Sequence, residues 1–163
     1  MDAKQAIKSA MNLSQMIMAR YLGDLSDADL LRRPGPGCNH IAWQLGHLIT
    51  SQAGILNGLV PGAAPELPPG FQEKHDKANS GSDNPQDFRK KDEYLQLMQS
   101  LHAATVQALD ASDPAELDQP SPEFLRNFLP TRGEAWMLIG THPIMHAGQF
   151  VPVRRALGKP VVI

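Results

Sequence analysis

Four long stretches of this chain place apolar residues at intervals of three and four, and clusters of proline and glycine separate them. That punctuation restricts the fold to helix packed on helix. The first stretch, residues 2–23, is free of proline and repeats Ile7, Ala10, Met11, Ser14, Ile17, Met18, Tyr21 and Leu22 on one helical face, with Gly23 as its stop. Ser26 and Asp29 have the spacing of a capping box and predict a short helix over 27–32. Pro34-Gly35-Pro36-Gly37 then breaks the chain. Asn39 is the expected N-cap of a second helix to Leu59, with Ile41, Leu45, Leu48, Ile49, Ile55 and Leu56 on its buried face and Trp43 widening it.

Residues 60–83, rich in proline and glycine, form a connection long enough to act as a crossover, so the second and third helices are expected to run parallel. The third helix is predicted from Asn84, with Pro85 at its first position, to Leu109. An irregular stretch from Asp113 to Pro130 holds one helical turn near Glu123–Asn127. The fourth helix opens on the Thr131/Glu134 capping box and runs to Leu157, where Gly158 and Pro160 end it. No alternating strand pattern and no repeat occurs, so the expected fold class is an all-α four-helix bundle forming one domain over 1–163.

Composition removes several functions. Apolar residues make up 42% and charged residues 20% of the chain, too apolar for disorder. A net charge of −2 with no basic run argues against nucleic acid as a partner. No segment approaches the roughly 18 apolar residues of a membrane span, and the N-terminus lacks a signal-peptide pattern, so the cytoplasm is the expected location. The single cysteine, Cys38, rules out an intrachain disulfide and a cysteine zinc cluster. It is expected to be a buried small residue more than a reactive thiol.

The chemistry lies in histidine. His142 and His146 stand four residues apart, one turn of the fourth helix, which sets their Cβ atoms roughly 5–6 Å apart on one face. Ala135, Leu138, Ile139, Gln149 and Val153 share that largely apolar face. Buried imidazoles need partners for their nitrogens, and a metal ion provides one. His47, in the middle of the second helix beside Gly46, is the candidate third ligand. Such a pair by itself also suits capping or pairing with carboxylates, and a lone mid-helix histidine also suits a hydrogen-bonded core.

The wording of two blocks goes further. His40-Ile41-Ala42-Trp43-Gln44-Leu45-Gly46-His47-Leu48-Ile49, preceded by Pro36-Gly37-Cys38, resembles the second-helix signature of the DinB-like superfamily. His142-Pro143-Ile144-Met145-His146-Ala147-Gly148-Gln149, followed by Arg154-Arg155-Ala156-Leu157-Gly158, resembles its fourth-helix signature. The resemblance implies an up-down-down-up four-helix bundle with a divalent metal on three histidines, here His47, His142 and His146. Three imidazoles suit zinc, nickel, copper and iron, with zinc and nickel the expected occupants. An ion so held acidifies bound water and polarises a carbonyl. The resembling superfamily also includes thiol S-transferases that use low-molecular-weight thiols. A small-molecule substrate, a hydrolase or a thiol-dependent transferase, and a homodimer are therefore the expectations. The alternative is a non-catalytic, metal-binding, stress-related bundle that works through dimerisation. No carboxylate lies near the histidines on either helix, and Glu134 is read as a cap, which tilts the expectation towards thiol transfer.

Proline departs from this pattern. Pro143 and Pro152 each remove a helical amide and predict bends in the fourth helix, with His142 the ligand most exposed to misplacement. His40 is read as a group behind the ligands or as surface, and His75 and His102 as solvent-facing. Gln149 is read as either a ligand partner or a packing amide. Trp43 and Trp136 are read as core residues that also wall the site.

Overall fold

The computed structural model describes residues 1–162. Its helices are α1 (Ala3–Leu22), α2 (Asp27–Leu30), α3 (Ile41–Leu59), α4 (Phe71–Lys74), α5 (Lys91–Ala111), α6 (Glu123–Arg126) and α7 (Arg132–Ala156), with 3-10 turns at Lys77–Asn79, Pro85–Asp87 and Pro114–Asp118. Among the described residues there is no strand, only a single bridge between Pro120 and Thr131. The four long helices close a ring in which α1 packs on α7, α7 on α3, α3 on α5, and α5 back on α1.

Local sequence chemistry starts each element. Ser26 Oγ accepts from Asp29 N while Asp29 accepts from Ser26 N, and Thr131 and Glu134 repeat that reciprocal pairing at α7. The expected cap of α3 shifts by one residue. His40, not Asn39, occupies the N-cap, and its Nδ1 accepts from Trp43 N at 3.1 Å. The Nδ1 of histidine sits one bond beyond Cγ, as the Oδ1 of asparagine does, so the ring reaches the same amide. His40 is thus fully buried, and its Nε2 donates to Ser82 O in the crossover.

The third long helix also starts later than its proline predicts. Pro85 opens a 3-10 turn capped by Asn84, Phe88 is extended, and α5 begins only at Lys91. In the extended conformation Phe88 sends its ring against His40, edge-on at 4.4 Å, and towards His75. Tertiary burial of that ring outweighs the local helical preference. By contrast, α7 is continuous through Pro143 and Pro152.

At the α1–α7 crossing Gly140 lets the backbones approach closely. A Cβ there would stand 3.1 Å from both Ala10 Cβ and Met11 N. Gly140→Leu is therefore expected to lose about 2 kcal/mol by overpacking, even though leucine is the better helix former. Chemical denaturation measures this; unchanged stability would mean the helices separate freely at that point.

Candidate metal centre

Facing positions on α3 and α7 supply the site. Ring nitrogens of His47, His142 and His146 all lie within 4.8 Å of one another. His142 Nε2 and His146 Nε2 are 3.2 Å apart. Ring centroids are separated by 5.3 Å for His47–His142, 5.4 Å for His47–His146 and 4.8 Å for His142–His146. His142, which the bend expected at Pro143 could either tune or pull out of line, stays in the cluster.

One tautomer in the cluster is settled by a residue that spacing did not single out. Gln44 is buried, and its Nε2 donates to Asn39 O, which turns its Oε1 towards His146 Nδ1 at 2.8 Å. An amide oxygen only accepts, so His146 carries its proton on Nδ1 and leaves Nε2 as a bare lone pair facing His142. A metal-ligating histidine with its other nitrogen held by an acceptor is the usual arrangement. The sequence signal was available: Gln44 precedes His47 by three residues and shares its helical face. Gln149, the amide weighed for this role, is exposed.

Burial keeps the cluster neutral. His142 and His146 are both pushed down to about 4, first by desolvation and then by the neighbouring imidazoles, and His47 is lowered by desolvation. Neutral imidazole is the form that binds metal. The donor set fits a divalent ion on geometry too. Two imidazole nitrogens on one tetrahedral zinc, each about 2.0–2.1 Å from it, stand roughly 3.3 Å apart. The 3.2 Å spacing of His142 and His146 matches that value, and a ring nitrogen of His47 lies within 4.8 Å of theirs. Among the described residues no carboxylate or thiol joins the group.

A cleft of about 680 Å³ opens beside His47 between α3 and the crossover, walled by Trp43, Thr50 and Ser51 on one side and Gln72, Asp76 and Lys77 on the other. Trp43 lies parallel to His47, 5.2 Å between ring centroids, and so walls the site as its position in the sequence suggested, whereas Trp136 lies wholly in the core.

Three expectations for single residues are corrected. His75 is not solvent-facing but 2% exposed, because Gly46 leaves a flat spot on α3 where the imidazole lies. A Cβ at position 46 would come within 1.9 Å of His75 Cδ2. His102 is half-buried, and burial lowers its pKa. Cys38 is exposed, because it lies in the turn ahead of α3, where its backbone amide bonds Gly35 O.

Fold and site together define a class: an all-helical bundle that gathers three partly buried imidazoles where two helices face each other, one of them lining a cleft. The model of the DinB superfamily matches residues 10–150, and the chain belongs to that superfamily. Its members bind divalent metals. Among solved structures, a conserved protein from Enterococcus faecalis is similar in fold, with a TM-score of 0.67 and 18% identity over 98% of this chain and 99% of that one. No curated protein matches the sequence.

Proposed function

We propose that this protein is a divalent-metal-dependent enzyme whose ion, zinc or nickel, is held by His47, His142 and His146. The observation that carries this reading is the convergence of the three ring nitrogens, with Gln44 turning one lone pair of His146 inward. A divalent ion supplies Lewis acidity there, acidifying a water or thiol and polarising a carbonyl. The cleft beside His47 lets a small molecule reach one of the three histidines, which favours catalysis over a purely structural ion. Within that cleft the acidic side chain is Asp76, whose Oδ1 is occupied by the Asn79 amide. Among the described residues no carboxylate joins the histidine group to act as base, so transfer of a low-molecular-weight thiol is favoured over hydrolysis. The same pairings support an up-down-down-up course: Gln44 meets His146 across α3 and α7, Gln52 bonds Thr105 across α3 and α5, and Lys8 pairs with Asp110 across α1 and α5.

The test is zinc and nickel binding by competition with a chromophoric chelator, followed by assays of the loaded protein with a small thiol and an electrophilic acceptor. One ion per chain is expected. His47→Ala, His142→Ala and His146→Ala should each weaken binding by at least about 100-fold while helical circular dichroism is retained. Stoichiometric binding that survives all three substitutions would overturn the assignment. Thiol conjugation lost with the ion would establish the transferase reading, and turnover of esters or amides without thiol would establish the hydrolase.

A further inference from the structure

His47 differs from His146 in what orients it. His146 is fixed by a hydrogen bond from its outer nitrogen, whereas among the described residues neither ring nitrogen of His47 bonds a protein group. The parallel contact with Trp43, at 4° between ring planes, is what defines the His47 ring plane. Trp43 is in turn tied to the crossover, since its indole N–H donates to Asp76 O at 3.0 Å.

The crossover holds that carbonyl in place through contacts along its own length. His75 lies on Gly46; its Nδ1 donates to Phe71 O at 2.7 Å, so its Nε2 accepts from Tyr94 Oη–H at 2.8 Å. The Tyr94 oxygen then accepts from Arg89 N. Further along, Ser82 O receives His40 Nε2 and Arg33 Nη2, and Arg33 also reaches Ser80 O. Residues 71–82 are thereby strapped across the first half of α3. They form the far wall of the cleft and end, through Asp76 and Trp43, against the His47 ring.

We propose that Trp43 is the positioning residue for His47 and that, through it, docking of the 71–82 strap and occupancy of the three-histidine site are coupled, each favouring the other. The coupling rests on the metal reading above. Its physical basis is that an ion needs His47 in one orientation, the stacked indole selects that orientation, and the strap carbonyl selects the indole. Linkage makes the effect reciprocal: if docking tightens zinc binding, zinc must stabilise docking by the same factor.

Hydrogen–deuterium exchange of the full chain, with and without zinc, tests this together with zinc affinities. In the wild-type protein, zinc should slow amide exchange across residues 71–82. Trp43→Phe keeps an aromatic ring against His47 but removes the indole donor, so it should lose the zinc-dependent protection of the strap and, by the same linkage, bind zinc more weakly than the wild type. Trp43→Ala removes both and should weaken zinc by about tenfold. Gly46→Ala, which improves the helix but drives a methyl group into His75, should raise strap exchange without zinc and also weaken zinc by about tenfold. Strap exchange unmoved by zinc, or wild-type affinity in Trp43→Ala, would overturn the coupling while leaving the metal site intact if His47→Ala still abolishes binding. Failure of the wild-type chain to bind either zinc or nickel would overturn both readings.

Discussion

Replacing Arg154 with methionine should lower the thermal midpoint by about 10 °C, corresponding to roughly 3 kcal/mol. The guanidinium is fully buried near the end of α7 and satisfies groups from three places in the chain. Nη1 donates to Tyr21 O, Nε donates to Pro160 O at 2.8 Å, and Nη2 donates to Asp24 Oδ2 at 3.0 Å. Methionine keeps much of the volume but leaves the buried Tyr21 carbonyl without its donor, and an orphaned buried acceptor costs far more than a made bond returns, while the carbonyl of exposed Pro160 turns to water. Asp24 is about half exposed, so water takes over its side once the arginine is gone. Asp24→Asn should therefore cost less than Arg154→Met. A midpoint within about 2 °C of wild type in the arginine variant would show that the tail and the α1 end do not depend on it.

Acid should destabilise the metal-free protein sharply, and zinc should oppose that loss. An ordinary histidine titrates near 6.5, whereas folding holds His142 and His146 at about 4. Between those values the unfolded chain binds protons that the folded chain does not, so stability falls as pH drops from 6.5 towards 4 and is level above about 7.5. His40, His47, His75 and His102 are shifted the same way, each first by burial, and steepen the slope. The low values also keep His142 and His146 neutral at pH 6, so zinc should still find both of them there although free imidazole would be largely protonated. At zinc a thousandfold above its dissociation constant the stabilisation is about 4 kcal/mol. Thermal melts from pH 7.5 to pH 5, with and without zinc, are the measurement. A protein carrying both His142→Leu and His146→Leu should show a shallower acid slope and no zinc shift. An unchanged slope in that variant would mean the site histidines are protonated in the fold, contrary to their burial.

Much of this molecule could be read from residue order because its causes are local. The three-and-four spacing marked all four long helices, since a helix needs one apolar stripe wherever it packs. Reciprocal caps at Ser26/Asp29 and Thr131/Glu134 involve atoms three residues apart and were visible for that reason. His142 and His146 share a face by helical geometry alone, and the wording around His47 pointed to the histidine that faces them.

The tertiary structure decided whatever depends on partners distant in the chain. Only the crossing of α3 and α7 brings Gln44, 102 residues away in sequence, to the outer nitrogen of His146. Only docking of the crossover on the bare backbone of Gly46 buries a loop histidine that its polar neighbours placed in solvent. Arg154, an ordinary charge near a helix end, becomes the buried tie between the end of α1 and the segment after α7 because folding brings the carbonyls of Tyr21 and Pro160 to it. Helical period and capping act within a few residues. Burial, tautomer and proton affinity are set by neighbours that only folding brings together.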